Sequence, residues 1–406
     1  MKSLLFHVAV FAYAGLYAVP KVKNVALSLE LPNSIEVTYD LADEPAIITL
    51  AVSTNDVAVE DSRVVSLTGD VCRRIESGEG KKFHWAIGRD WPGAELPQGL
   101  AVTVLAWPTN SPPPYMAVDL TVKSNLFFYA SADSVPGGDT NRIYKTTMML
   151  MRRIPAAGIQ WRMGSPSDET GRQTNGSEDP HLVTLSSDYY MAVYPITQRQ
   201  WKIFNATKGF YWPHDGVPEY DETLPAESFS WTNIRGRRTL GYSWPQNKHE
   251  VASDSILGKM RSFCGPEFDL PTEAQWEYAC RAGSSAPYAN GLSSVATLGR
   301  CNTTTPQCTE PVGQREPNGW GLYDMHGNIW EMCLDWYSTG LTGPVEDPEG
   351  PEVDAATAYA DNTMVLRGGA YNSAPADCRS ARRRNFTGAE YHRTFGARLV
   401  CPVAVW

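Results

Sequence analysis

Positive charge is scarce in this 406-residue chain: 35 lysines and arginines against 45 aspartates and glutamates leave a formal charge of -10. Nucleic-acid binders need a basic face to release counterions from phosphate, so the balance argues against DNA or RNA as a partner. Beyond the first residues no run is apolar and long enough to cross a bilayer, which argues against a membrane span. The seven histidines, His7, His84, His181, His214, His249, His326 and His392, never stand at ligand spacing in the sequence, and a histidine-built metal centre is not signalled. A Ser-His-Asp set, a phosphate loop and a paired-carboxylate signature are all missing. So are internal repeats and low-complexity tracts.

What is present begins at the N-terminus, where Lys2, an apolar run over 4–11 and the small residues Ala12, Ala14 and Ala18 make residues 1–18 a signal peptide. The expected location is therefore outside the cytoplasm, periplasmic or extracellular. Eight cysteines in a secreted chain permit complete pairing. Cys301 and Cys308 flank a short loop and are the best local pair; a zinc site there is the weaker reading, since no second Cys or His pair stands nearby. Trp (13) and Tyr (19) are frequent enough to suggest aromatic-rich packing or an aromatic binding surface.

The length suits two or three domains, because single cores rarely grow beyond about 250–300 residues. Over 25–122, short segments alternate with a period of two: Leu27, Leu29 and Leu31; Ile35, Val37 and Tyr39; Ile48, Leu50 and Val52; Phe83, Trp85 and Ile87; Val102 and Val104; Met116, Val118 and Leu120. About seven half-buried strands in about a hundred residues predict an all-β sandwich of immunoglobulin or fibronectin type. Cys72 is its only cysteine, so the immunoglobulin disulfide is absent. A linker is expected over 123–147, rich in Ser, Asp and Gly. Beyond it helical periodicity is poor, with one clear helix: Thr272 and Gln275 form a capping box, Trp276 and Ala279 follow at helical spacing, and Gly283 ends it.

The ordered motifs after residue 148 are Ile154-Pro155-Ala156-Ala157-Gly158, Trp161-Arg162-Met163-Gly164-Ser165, Tyr194-Pro195-Ile196-Thr197 and Leu270-Pro271-Thr272-Glu273-Ala274-Gln275-Trp276-Glu277. Then come Asn318-Gly319-Trp320-Gly321-Leu322-Tyr323-Asp324-Met325-His326-Gly327-Asn328-Ile329-Trp330-Glu331, Arg367-Gly368-Gly369-Ala370-Tyr371, Cys378-Arg379-Ser380-Ala381-Arg382 and Phe395-Gly396-Ala397-Arg398. Read together, residues 148–402 resemble the formylglycine-generating enzyme, or sulfatase-modifying factor, family. The resemblance implies an α+β fold of C-type-lectin-like type, with little regular structure, long loops and structural calcium. It assigns the calcium ligands to Asp324, Glu331 and the carbonyls of Gly327 and Ile329. A turn carrying two carboxylates and backbone carbonyls suits a hard cation in charge and oxygen count, the reading preferred over a turn whose carboxylates accept backbone hydrogen bonds without metal. Asn302 matches one ligand of the family's other calcium site, but 303–307 offers no carboxylate.

In the family's oxidases two cysteines five residues apart hold copper(I) and activate oxygen to turn a substrate cysteine into formylglycine. Here the second matches Cys378, whereas the first is Ser373 and the serine of the preceding turn is Ala370. A hydroxyl cannot replace a thiolate toward a soft metal, so copper is doubtful and Cys378 reads as a packed thiol or half of a disulfide, for instance with Cys333. By the resemblance Cys280 and Cys401 make a further pair. Arg379, Arg382, Arg383 and Arg384 form a basic cluster, either an anion site or a structural set paired with buried carboxylates such as Asp335. Two functions follow as expectations. One is a non-oxidase binding module on a sandwich stalk, holding a peptide, protein or glycan near Trp330, Tyr371, Asn372 and Ser373. The other is an oxidase of the family, with Cys378 catalytic.

Overall fold

The computed structural model describes residues 20–30, 33–60, 63–92, 99–205, 221–236, 251–303, 308–351 and 363–403. The leader read at 1–18 lies outside them. They divide into one unit up to residue 117 with 126–141, and another of 118–125 with 142–402.

In the first unit, strands β1 (Lys21–Glu30), β2 (Ser34–Ala42), β5 (Leu67–Gly69) and β7 (Gly78–Trp85) form a sheet in the order β1-β2-β7-β5. A second sheet joins β3 (Ala46–Thr54) to β4 (Val57–Ala58), β6 (Arg73–Ile75) and β8 (Leu100–Pro108). Alternation puts Ile35, Val37, Tyr39 and Leu41 of β2 inside. They share one buried cluster with Ile48, Phe83, Trp85 and Val104, as the period of two requires. The single turn α1 (Ile87–Asp90) follows β7. One face differs from expectation. β1 is an edge strand with a bulge between Lys23 and Ala26, so Leu27 is only partly buried and Leu29 is 52% exposed. Leu31 lies outside the described residues.

The stretch read as a linker is structured. Strands β9 (Tyr115–Asp119) and β10 (Leu126–Tyr129) bracket a turn in which Asp119 accepts the Thr121 and Val122 N–H groups. Phe128 N–H donates to the Cys72 carbonyl within the first unit, and Val135 is buried there. The Tyr144 carbonyl accepts from Gln200 Nε2 within the second unit. The stretch read as a linker from its polar composition is anchored by the few apolar residues placed between the polar ones.

The second unit has the sparse regular structure expected of it. Three small sheets carry its strands: β11 (Met148–Ile154) with β14 (Tyr189–Ala192) and β20 (Val400–Pro402); β12 (Ile159–Met163) with β13 (His181–Leu185) and β16 (Val345–Glu346); and β18-β17-β15-β19, formed by β15 (Trp330–Trp336), β17 (Met364–Arg367), β18 (Arg383–Phe386) and β19 (Phe395–Gly396). The helices are short: α2 (Gln198–Phe204), α3 (Trp231–Arg235), α4 (Ile256–Cys264) and α5 (Glu273–Arg281). α5 is the helix the sequence signals. Thr272 and Gln275 cap it reciprocally, and the chain leaves through left-handed Ala282 and then Gly283 at φ +86°. Its Trp276 and Ala279 are buried in the main core with Val183, Met191 and Val365.

The eight cysteines form no disulfide. Cys280 Sγ faces the His326 ring and Ser380 Oγ rather than Cys401. Cys378 and Cys333 are both free thiols, Cys378 in a buried cluster with Cys301 and Cys333 in the core around Trp276. Connectivity depends on tertiary neighbours that spacing does not reveal.

Candidate functional site

The site is built on the turn after β17. Gly369 holds φ +77°, and a Cβ there would come within 2.5 Å of Cys378 Sγ, so only glycine lets the turn close over the thiol. Ala370 N–H then donates to Ser373 Oγ at 3.0 Å, and Ser373 N–H returns to the Ala370 carbonyl at 2.9 Å. The Ser373 hydroxyl oxygen is thus part of the turn. A 3-10 turn over Pro375–Cys378 follows and carries Cys378 inward, fully buried among Tyr288, Leu298 and Cys301. Burial pushes its thiol well above the ordinary range, and the neighbouring Cys301 and Asp377 push it further the same way. A thiol in such surroundings stays protonated and is a poor nucleophile. Asn302 N–H donates to the Ser373 carbonyl at 3.0 Å, tying the Cys301 loop to the turn.

Above this turn lies an open cleft of about 440 Å³ whose lining includes Trp330, Asn372 and Ser373. Three of the four residues expected to bind a ligand are therefore brought together. Tyr371 is not in the lining. It is buried, its N–H donates to the Asn328 carbonyl, and its hydroxyl meets Arg393. The Tyr371 side chain is turned into the protein by these contacts, while Asn372 and Ser373 face the cleft. Gln173, Asn175, Tyr337 and Asn385 also line it and carry no motif that sequence could have flagged, and so do Arg382, Arg383 and Arg384 of the basic cluster. Trp330 is 2% exposed, Arg384 lies 5.6 Å above its ring, and its Nε1 has no hydrogen-bond partner. That nitrogen is itself buried, so the donor is not presented to the cleft.

The arginine cluster is mainly structural. Arg379 pairs with Glu169 and Glu178, Arg382 with Asp377, and Arg383 with Glu273. Asp335 instead accepts the Glu273 N–H at 2.6 Å at the start of α5. Arg384 stacks on Trp330 and Phe395.

The four residues assigned to calcium do not act alike. Glu331 is fully buried, with both oxygens bonded to Arg398 at 2.8–3.2 Å and Oε2 also to Trp276 Nε1 at 2.7 Å. Its charge is already balanced. Asp324 accepts the Gly313 N–H through Oδ2 but leaves Oδ1 buried without a partner, and burial raises its carboxyl to about 6. Gly327, at φ +112°, has the Arg300 carbonyl 2.1 Å from where a Cβ would sit, and its own carbonyl accepts from Ile329 N–H at 2.7 Å. As a set these residues do not fit a calcium site: the Glu331 carboxylate is taken up by Arg398 and Trp276, and of the two carboxylates Asp324 keeps a buried oxygen to offer. At the second site Asn302 is described, while 304–307 lie outside the described residues.

His326, in the same motif, braces the turn. Its Nδ1–H donates to the Cys378 carbonyl at 2.8 Å while Nε2 accepts the Ala289 N–H at 3.1 Å, so the ring is held neutral. Burial lowers its pKa to about 4. In the unfolded chain the ring takes a proton near 6.5, so this group's stabilising contribution is complete above that pH and is lost as pH falls toward 4. The loss should reach about 3 kcal/mol. Melting curves between pH 7.5 and 4.5 should show this acid limb, and His326→Gln should flatten it.

Residues 154–403 match the sulfatase-modifying factor enzyme 1-like domain family. The formylglycine-generating enzyme of Thermomonospora curvata is 35% identical over 258 residues, spanning 54% of this chain and 82% of that protein. That of Streptomyces coelicolor is 41% identical over 120 residues, 25% of this chain and 35% of the other. The serine/threonine-protein kinase pkn1 of Chlamydia pneumoniae is 37% identical over 227 residues, 54% of this chain but 33% of the kinase; the alignment spans about a third of the length of the last two. Among solved structures, Treponema denticola variable protein 1 superposes with a TM-score of 0.47 at 23% identity, covering 63% of this chain and 95% of that one. From Ile154 to Val403 the chain belongs to the formylglycine-generating, sulfatase-modifying factor family.

Proposed function

We propose that this protein is a ligand-binding member of the family, secreted through the leader at 1–18, whose cleft at Trp330, Asn372 and Ser373 holds a group of a peptide, protein or glycan. The state of position 373 carries the reading: its hydroxyl oxygen is engaged by the Ala370 N–H, and the Cys378 sulfur is sealed beneath the turn. A two-thiolate copper centre across positions 373 and 378 has lost one donor, and an alcohol does not substitute for it.

The oxidase reading has one observation on its side. Cys301 shares the buried cluster of Cys378, so a second thiol reaches the site from another loop. Anaerobic copper(I) titration against a competing chelator separates the two readings. The parent should bind no more tightly than Cys378→Ser, while Ser373→Cys should bind at least tenfold more tightly, since two soft donors replace one. If the parent oxidises a cysteine peptide with oxygen and copper, and Cys301→Ser abolishes this, the oxidase reading stands instead. Calcium remains in the proposal with Asp324 as its carboxylate, the one of the assigned pair with an oxygen left to give, and backbone carbonyls as its other ligands.

A further inference from the structure

The histidines look scattered in sequence, yet folding of the first unit gathers one of them with two carboxylates. Glu36 of β2 is directly opposite His84 of β7, and Glu30 lies at the end of β1. All three leave the sheet on its outer side, since their neighbours Ile35, Val37, Phe83 and Trp85 face the core. His84 Nδ1 stands 3.3 Å from Glu30 Oε2, and Nε2 stands 3.6 Å from Glu36 Oε2. One ligand atom from each residue lies within 4.8 Å of the other two, a grouping no other three Cys, His, Asp or Glu residues make among the described residues.

We propose that Glu30, Glu36 and His84 form a surface site for a zinc-class divalent cation, with a fourth coordination position left to solvent or to another molecule. Ligand atoms around a tetrahedral zinc, each about 2.0–2.1 Å from the metal, are about 3.3 Å apart. Glu30 faces Nδ1 and Glu36 faces Nε2, and one metal ion takes a single ring nitrogen, so the Glu30 side chain, 48% exposed, must swing round toward Nε2 to join Glu36 there. The donor set selects the metal. One imidazole with two carboxylates suits zinc, nickel or cobalt, whereas calcium wants six to eight oxygens. Strand pairing fixes Glu36 and His84 before metal arrives, so little ordering entropy opposes binding. Lys82 Nζ, 3.6 Å from Glu36 Oε2, competes for that carboxylate.

The test is zinc titration of the full chain by calorimetry at neutral pH, alongside the NMR signal of the His84 ring. One equivalent should bind with a shift confined to His84 among the ring signals. His84→Ala, Glu30→Gln and Glu36→Gln should each weaken that equivalent tenfold or more, and Lys82→Gln should tighten it. All four positions are at the surface, and melting curves check that the variants fold. Zinc binding unchanged by His84→Ala overturns the proposal, as does binding that needs His84 but is indifferent to both glutamates, which describes a lone surface histidine. Absence of binding by the parent leaves the three residues as an ion-pair cluster and overturns it too.

Discussion

Arg379→Met should lower stability by about 3–5 kcal/mol at pH 7, the usual consequence of leaving a buried charge without its partner. The Arg379 guanidinium is 1% exposed and reaches two carboxylates at once. Nη1 and Nη2 donate to the two oxygens of Glu178 at 2.9 and 3.0 Å, Nη1 also donates to Glu169, and the remaining bonds go to the Gly171 and Ala376 carbonyls. Methionine keeps most of the side-chain volume but strands Glu169 and Glu178 beside each other, with Ser165 Oγ donating to Glu178. Two like charges left together in a desolvated site repel each other with no counter-ion between them. Replacing Glu178 as well, as in Arg379→Met with Glu178→Gln, should recover part of the loss in denaturant titrations. A double variant no more stable than Arg379→Met would assign the loss to packing. The same substitution should blunt any ligand response of the cleft, because Arg379 fastens the 169–178 loop, whose Gln173 and Asn175 line it.

How much of this was legible follows from the range of the interactions. Alternation along β2, β3, β7 and β8 is local, and it disclosed the sandwich without a partner being known. The capping box of α5 is equally local, with Thr272 and Gln275 three residues apart. Trp330 sits in an ordered motif and Asn372 and Ser373 directly follow another, so sequence order alone placed these three near one another. Tyr371 was misplaced because adjacency in sequence does not say on which side of a turn a ring falls. The linker was misread because composition averages over 123–147, whereas Phe128, Val135 and Tyr144 act singly. Cysteine pairing and the grouping of Glu30, Glu36 and His84 depend on contacts many residues apart, for which neither spacing nor composition carries a signal.

Glu331→Gln should also lower stability by about 3–5 kcal/mol, and by the same amount with calcium or with EDTA. Sequence resemblance makes Glu331 a calcium ligand; its neighbours make it the counter-ion of Arg398. Both residues are fully buried, and Arg398 further donates to the Ala192, Val193 and Tyr323 carbonyls at 2.6–2.9 Å. Through those carbonyls it pins β14 and the loop before the turn to β15, on which Trp330 sits. Glutamine keeps an acceptor for Trp276 Nε1 but removes the charge, leaving a guanidinium in a dry interior, and this asymmetry makes single removal so damaging. Replacing both partners, as in Glu331→Gln with Arg398→Met, should recover part of the loss, since no buried charge then remains unpaired. Calcium acts through a different residue. If Asp324 holds the cation, EDTA should lower the parent's melting temperature, and Asp324→Asn should abolish that response while Glu331→Gln retains it at a lower baseline. A parent whose melting temperature falls in EDTA to that of Glu331→Gln, with the variant itself unaffected by the chelator, would instead make Glu331 the calcium ligand and Arg398 its substitute in the metal-free chain.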